Sequence, residues 1–224
     1  MELCKRLIEI YTRKGDVILD PFMGSGSAII VARDMERKGI GFDINPTFVE
    51  LVKRRLSQQK LIQPDIEEPD IYCDDANNLL EYVKPDSVDF VITSPPYWNI
   101  HTRKRTADYK KPRPYSTLKR DLGNIADFNG FMNELKAVFE KVYTVLKHGK
   151  RCVIVVMDIR QGSKFYPFHM NVCDMMKEIG FVLEDIIIWD RRKEYSNLRP
   201  LGYPYVFIVN KVHEYILIFR KDGG

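Results

Sequence analysis

Residues 89–100 read DFVITSPPYWNI, and this stretch decides how the rest of the sequence is interpreted. Its first five residues have the apolar, β-branched composition of a buried strand. Proline lacks the backbone N–H that a strand pairs with, and it also restricts the residue before it. The strand must therefore end at Thr93 or Ser94. The stiff turn that follows carries a hydroxyl, backbone carbonyls and two aromatic rings, which suit it to holding a flat ligand.

Apolar strands alternate with segments of helical periodicity along the whole chain. Strands are predicted at residues 17–20, 39–43, 70–73, 88–93, 151–157, 181–189 and 213–221, the last as an edge-type strand. Helices are predicted at residues 2–12, 28–37, from Pro46 onward with Asn45 as the N-cap, 128–146 and 168–179. Such alternation predicts an α/β fold with a mostly parallel sheet and helices on both faces.

The composition is that of an ordinary globular chain, with 45% hydrophobic and 29% charged residues among 224. No apolar run approaches the roughly 18 residues of a membrane span, and the N-terminus lacks the pattern of a secretory signal. Four scattered cysteines form no CxxC pair, so neither a metal site nor a redox motif is expected. We therefore expect a cytoplasmic protein that needs no metal, with Cys73 and Cys152 as inert core thiols.

The net charge of +4 is concentrated in one segment. Residues 99–120 carry a net charge of +7, whereas the rest of the chain carries −3. A basic cluster of this kind indicates a polyanionic partner, the alternative being a solvated loop without one. We expect nucleic-acid contacts from an inserted loop at residues 99–127 and from a basic, aromatic loop at residues 190–210. The expected contact residues are Arg103, Lys104, Arg105, Lys110, Lys111, Arg113, Arg191 and Arg192.

Residues 19–27, LDPFMGSGS, form a strand end, a tight turn and a helix start. Ligands of open α/β sheets lie at the carboxyl ends of the strands, where Gly24 and Gly26 allow the backbone to approach closely. Ile29 stands where a dinucleotide fingerprint has its last glycine, and Asp20 is a poor neighbour for a pyrophosphate. The turn therefore favours a ligand with a cationic or amino-bearing end.

Two further acidic positions complete a ligand pattern. Asp43 ends the second strand, the usual place for a carboxylate that accepts ribose hydroxyls. Asp75 follows the third strand and is placed for the amino group of an adenine, with Asp74 as the competitor and helix capping as the alternative role. A nucleoside with a positively charged tail fits these groups, and S-adenosylmethionine has that shape.

Five ordered motifs, DPFMGSGS, GIGFDINP, the aspartate of CDDANNLL, TSPPYW and HEYILIFRK, resemble those of the S-adenosylmethionine-dependent DNA amino-methyltransferases. These enzymes modify N4 of cytosine or N6 of adenine, and the resemblance covers nearly the whole chain. It implies a Rossmann-like, seven-stranded mixed sheet whose last strand is antiparallel and lies between the fifth and sixth. It also implies one class I catalytic domain over residues 1–224. The glycine motif precedes SPPY, the reverse of the usual order for this wording, and no separate target-recognition domain is expected.

The same resemblance assigns the site. The residues that would bind S-adenosylmethionine are Asp20, Phe22, Gly24, Ser25, Gly26, Asp43, Ile44 and Asp75. The catalytic residues that would hold the target base are Ser94, Pro95, Pro96 and Tyr97. The base would have to be flipped out of a duplex to reach them.

The chemistry of the proline turn follows from its groups. The Ser94 side chain and the Pro95 carbonyl can accept the two N–H bonds of an exocyclic amine, and acceptance that strengthens as charge develops favours the transition state. Pro96 stiffens the turn, and Tyr97 would stack on the base. Trp98 has core packing as its equal alternative. Within the family that the motifs resemble, serine at position 94 favours cytosine N4 over adenine N6.

Three other functions compete with this hypothesis. An RNA base amino-methyltransferase would share the motif order, and an enzyme that methylates protein glutamine would share the fold. A non-catalytic nucleic-acid-binding module is the third. No cysteine follows a proline, which argues against carbon-5 cytosine methylation. DNA is the expected partner, and the sequence leaves open a homodimer and a cognate restriction endonuclease.

Overall fold

The computed structural model describes residues 1–60, 67–100, 116, 118, 120–193, 200–201, 208–209 and 211–223. The helices are α1 Glu2–Tyr11, α2 Ser27–Asp34, α3 Pro46–Lys60, α4 Leu79–Tyr82, α5 Phe128–Val145 and α6 Phe168–Ile179. The strands are β1 Val17–Asp20, β2 Lys38–Phe42, β3 Asp70–Tyr72, β4 Val88–Thr93, β5 Leu146–Val156, β6 Ile159–Gln161, β7 Lys164–Tyr166, β8 Phe181–Asp190, β9 Pro200–Leu201, β10 Ile208–Val209 and β11 His213–Lys221. Short 3-10 turns lie at Ala76–Asn78 and Leu122–Asn124.

Seven of these strands form one mixed sheet in the order β3-β2-β1-β4-β5-β11-β8. β11 runs antiparallel to both of its neighbours, and the other pairs are parallel. The predicted α/β, Rossmann-like sheet with an antiparallel last strand is thus confirmed. The glycine turn (residues 21–26) follows β1, and the proline turn (residues 94–97) follows β4. Because β1 and β4 are parallel neighbours, the two turns leave the sheet at the same edge.

Helices cover both faces of this sheet. On one face α5 and α6 bury Phe131, Phe139 and Phe168. On the other face α1 packs through Leu7 and Ile8, which are 4% and 0% exposed. Removal of these apolar side chains from water is the main contribution to the stability of such a fold.

Local signals explain the start of α3. The Asn45 side chain accepts a hydrogen bond from the Thr47 N–H at 3.0 Å, as expected of an N-cap. Pro46 occupies the first helical position, where its missing N–H costs nothing. The helix therefore begins where the sequence predicted it.

The structure corrects two of the predictions and adds an element that was not predicted, and it begins the strand predicted at 151–157 earlier, at Leu146. The edge-type assignment of 213–221 is wrong, because β11 pairs with β5 on one side and β8 on the other. The helix predicted to end at Arg37 ends at Asp34, since Glu36 has a φ of +62° and turns the chain. The hairpin of β6 and β7 was not predicted. Within the described residues, none of the helices is both long and apolar enough to cross a bilayer.

Candidate active site

A cavity of about 290 Å³ opens at the carboxyl edge of the sheet, between the turns that follow β1 and β4. Nine of the twelve residues predicted to bind the cofactor or the base line it. They are Phe22, Gly24, Asp43, Ile44, Asp75, Ser94, Pro95, Pro96 and Tyr97. Asp20, Ser25 and Gly26 are not part of its lining. The two turns that carry the motifs therefore share one cavity.

The glycine turn depends on backbone conformations that side chains disfavour. Gly24 has a φ of +51° and Gly26 a φ of +76°, values that glycine adopts without steric cost. A Cβ on Gly26 would lie 2.5 Å from Cγ2 of Val52, so α3 packs directly against the turn. Gly26 thus supports the turn from behind, whereas Gly24 faces the cavity.

Asp43 follows β2 and is only 4% exposed. The Gly24 N–H donates to its Oδ2 at 2.9 Å, and the Asn45 N–H donates to its Oδ1 at 2.8 Å. These charge-assisted bonds fix the carboxylate against the glycine turn. A carboxylate held in this way in a cavity wall is suited to accept hydrogen bonds from the neighbouring hydroxyls of a sugar.

Asp75 lines the cavity, whereas Asp74 does not. Asp74 accepts hydrogen bonds from the Tyr82 hydroxyl at 2.8 Å, from the Asp75 N–H at 2.7 Å and from Asn78 Nδ2 at 3.0 Å. Burial acts to raise the pKa of Asp74, but these bonds outweigh it and the pKa is lowered. Asp75 Oδ1 accepts the Asn77 N–H at 2.9 Å and caps the 3-10 turn. Asp75 therefore combines the capping role with a position at the cavity.

Asp20 is buried behind the two turns and is 6% exposed. Its Oδ1 accepts the Thr93 hydroxyl at 2.6 Å and the Phe22 N–H at 3.1 Å. One carboxylate oxygen thus joins the glycine turn to the last residue before Ser94. Burial raises the pKa of Asp20 to about 7, although both hydrogen bonds act to lower it, and the charge of Asp43 adds to the increase.

The turn after β4 presents a hydroxyl and an aromatic ring to the cavity. Ser94 is exposed, while Pro96 and Tyr97 are half-buried. The Ser94 Oγ and the Tyr97 hydroxyl lie 3.2 Å apart, within hydrogen-bond distance. The Tyr97 ring meets Phe168 edge-on, with 6.4 Å between the ring centres. The ring is thus supported by the core without being enclosed in it.

Trp98 packs in the core and also lines the cavity. It is 4% exposed, and its Nε1 donates to the Ile125 carbonyl at 2.9 Å. Its ring centre lies 5.2 Å from that of Phe128 and 5.1 Å from that of Tyr166. Trp98 therefore combines core packing with a place in the lining of the cavity.

Residues 120–123 line the cavity and were missed by the sequence analysis. Asp121 is 3% exposed, and it accepts the Ser116 hydroxyl at 2.7 Å and the Gly123 N–H at 2.8 Å. An Asp followed two residues later by Gly is the signal that could have predicted this turn. The basic run that precedes it hid the signal, because the whole of 99–127 was assigned to one loop.

Six of the eight residues predicted to contact nucleic acid lie outside the described residues, namely Arg103, Lys104, Arg105, Lys110, Lys111 and Arg113. Arg191 pairs with Glu214, and its Cζ lies 4.4 Å from the Trp189 ring centre. Arg192 Nη2 lies 2.6 Å from Asp190 Oδ2. Each of these two arginines is therefore partly neutralised by a carboxylate.

The cysteines and the acidic residues give no metal site among the described residues. Cys152 is buried as expected, and burial raises the pKa of its thiol. The expectation for Cys73 is wrong, because it lies exposed just beyond β3. Its predicted burial assumed that the short strand continued through position 73.

Comparison with known proteins places the chain in a family. The model of a DNA methylase family matches residues 1–54 and 88–224. The type II methyltransferase M.MthZI of Methanothermobacter thermautotrophicus is 30% identical over 149 residues, which are 63% of this chain and 41% of that protein. M.MjaI of Methanocaldococcus jannaschii is 32% identical over 161 residues, 63% of this chain and 52% of that protein. The chain spans about half the length of these relatives.

Solved structures share the fold at low sequence identity. A SAM-dependent methyltransferase from Methanosarcina mazei superposes with a TM-score of 0.61 and 15% identity, over 97% of this chain and 98% of that one. The family match covers most of the chain, and it includes both turns that border the cavity. The chain belongs to the N6/N4 DNA methylases, a family of S-adenosylmethionine-dependent enzymes.

Proposed function

We propose that the protein transfers a methyl group from S-adenosylmethionine to an exocyclic amino group of a DNA base, with cytosine N4 favoured over adenine N6. The observation that carries this proposal is the shared cavity, because Gly24 and Asp43 lie in the same lining as Ser94 and Tyr97. A donor and an acceptor that react directly must be held side by side, and good alignment can supply several kcal/mol.

The glycine side of the cavity has groups that fit the donor. Asp43 would accept the ribose hydroxyls, because its carboxylate is fixed by the Gly24 and Asn45 amides. Asp75 would accept the adenine amino group, and Phe22 and Ile44 would supply apolar contact. When bound, S-adenosylmethionine supplies an electrophilic methyl group on a sulfonium sulfur.

Three other residues predicted to bind the cofactor do not line the cavity, and in this proposal they act through the residues that do. Gly26 would keep the turn in the shape that Gly24 needs, and Ser25 would complete that turn. Asp20 would connect the turn to Thr93 through its buried carboxylate. These three residues would therefore affect the position of S-adenosylmethionine without contacting it.

The proline side would activate the amine. The lone pair of an exocyclic amine is delocalised into the ring, so the nitrogen needs strong hydrogen-bond acceptors to become nucleophilic. The Ser94 Oγ and the Pro95 carbonyl would accept its two N–H bonds, and these bonds strengthen as positive charge develops on nitrogen. Pro96 fixes the turn, and the half-buried ring of Tyr97 would stack on the base. Stacking of this kind is worth about 1–3 kcal/mol per base.

The proposal includes a cytoplasmic location, and DNA as the substrate would require the target nucleotide to leave the duplex. The basic loops at 99–127 and 190–210 would bind the phosphates and serve as a minimal reader of sequence. The preference for cytosine rests on serine at position 94. A homodimer and a cognate endonuclease are hypotheses that depend on this substrate.

Product analysis tests the proposal. Plasmid DNA, and a matched RNA transcript, are incubated with the protein and tritiated S-adenosylmethionine, digested to nucleosides and separated. We expect label in N4-methylcytosine from the plasmid. Label in N6-methyladenine would overturn only the base preference, and label confined to RNA would overturn the DNA substrate. No transfer to either, with the cofactor bound, would favour a non-catalytic binding module.

A further inference from the structure

The hairpin of β6 and β7, which spans 159–166, adjoins the candidate active site. Its strands pair antiparallel around a two-residue turn that begins at Gly162, with a φ of +58°. The Gln161 Nε2 donates a hydrogen bond to Asn99 Oδ1, and the Tyr166 ring centre lies 5.1 Å from that of Trp98. The hairpin is therefore held in a fixed position against the end of the SPPYW turn.

The outer surface of this hairpin is positively charged. Arg160 and Lys164 are exposed, and among the described residues neither forms an ion pair with a carboxylate. Arg160 Nη1 donates to the Ser163 carbonyl at 3.4 Å, and Lys164 Nζ lies 4.8 Å from the Tyr166 ring centre. The acidic residue next to the hairpin is Asp158, which is 5% exposed. Its Oδ1 lies 2.5 Å from His169 Nδ1. The Asp158 carboxylate is thus buried, whereas Arg160 and Lys164 are exposed at the surface.

An exposed aromatic ring lies close to two cations at this position. Phe165 is 43% exposed. Its ring centre lies 5.2 Å from Arg160 Cζ and 4.8 Å from Lys211 Nζ. Burial lowers the pKa of Lys211 to about 8; Asp158 acts to raise it, and the like charge of Arg160 adds to the decrease. An anion bound beside these two cations would relieve their repulsion.

Cations next to an accessible ring are the combination with which proteins hold a nucleic-acid strand. The cations neutralise phosphates, and the ring stacks on a base or packs on a sugar. We propose that the hairpin at 159–166 is a DNA contact, in which Arg160 and Lys164 bind phosphates next to the target nucleotide and Phe165 packs on a neighbouring base. The inference rests on the proposed function, since the partner is the DNA whose base enters the cavity.

The test measures binding separately from methyl transfer. A fluorescein-labelled duplex of about 30 base pairs is titrated with Arg160→Gln/Lys164→Gln protein, and anisotropy is read at several salt concentrations between about 50 and 200 mM. In a plot of the logarithm of the binding constant against the logarithm of the salt concentration, each lost phosphate contact reduces the magnitude of the negative slope by about 0.9. We expect a slope smaller by about 2 and an affinity lower by about tenfold at the higher salt. Phe165→Leu should weaken binding about fivefold with the slope unchanged.

The matched control is Lys14→Gln/Lys177→Gln, which removes the same charge near the amino ends of β1 and β8. Its affinity and slope should equal those of the unmodified protein, and thermal unfolding should show that all variants fold. A hairpin variant that binds DNA as tightly as this control overturns the inference. The inference is also overturned if the hairpin substitutions weaken binding of an RNA stem of equal length more than they weaken binding of the DNA duplex. The binding readout is independent of methyl transfer. If the protein methylates DNA but the hairpin variants bind normally, the inference alone fails; if it methylates nothing, the proposed function fails.

Discussion

Replacement of Asp20 by asparagine should stabilise the fold at alkaline pH, because the structure buries a carboxyl that is partly charged at neutral pH. The pKa of Asp20 is about 7 in the folded protein, against an ordinary value of 3.8. Each pKa unit corresponds to about 1.36 kcal/mol. The charged form of Asp20 therefore costs the folded state about 4 kcal/mol at pH 8.

The sign of the pH dependence follows from the raised pKa. Between about pH 4 and pH 7 the folded protein binds more protons at Asp20 than the unfolded chain does, so the free energy of unfolding falls as pH rises. At pH 5 the cost is about 2 kcal/mol, and above pH 7 it levels off. The amide that replaces the carboxyl is neutral at every pH, so the advantage of Asp20→Asn should grow by about 2.5 kcal/mol from pH 5 to pH 8.

Urea unfolding at pH 5 and at pH 8, without cofactor, measures this growth directly. Any cost of burying the new amide is independent of pH and cancels in the comparison. Thr93→Val is the companion variant: it removes a hydrogen bond that lowers the pKa of Asp20. Its stability should therefore continue to fall to a higher pH than in the unmodified protein. An advantage of Asp20→Asn that is equal at both pH values would refute the reasoning.

Three further predictions concern the site. Asp43→Ala should abolish binding of S-adenosylmethionine measured by calorimetry, whereas Ser94→Ala should leave binding intact and slow methyl transfer about 100-fold; the reverse pattern would exchange the two sides of the cavity. Gly26→Ala should lower the free energy of unfolding by more than about 1 kcal/mol, because its φ is positive and its Cβ would lie 2.5 Å from Val52, and an unchanged urea midpoint would contradict this. Methyl transfer to DNA should fall steeply between about 50 and 200 mM salt, and a rate indifferent to salt would remove the role of the basic loops.

Much of the fold could be predicted because local signals agree with it. The bounds of β1, β4 and α6 match the sequence prediction, since each has a strong apolar period and a clear terminating signal. The position of β11 in the sheet could not be read from its residues alone, because the residues of a strand do not specify which segments pair with it. Its two partners, β5 and β8, are distant in the sequence, and only their pairing makes it central.

The lining of the cavity could be predicted where the motif residues follow strands that lie side by side in the sheet. Gly24, Asp43 and Ser94 stand at strand ends, where the topology brings them together. The burial of Asp20 was not predictable, because its contact with Thr93 depends on the register of β1 and β4. The hairpin at 159–166 was missed because each of its strands has only three residues, too few for a periodic signal.

A crystal structure with S-adenosylhomocysteine and a target duplex tests the central claim most directly. We predict the ribose hydroxyls at the Asp43 carboxylate, the sulfur facing the 94–97 turn, and an extrahelical base with its amino group at the Ser94 Oγ. Density for the nucleoside outside this cavity, or a base that reaches the protein away from Ser94 and Tyr97, would contradict the account.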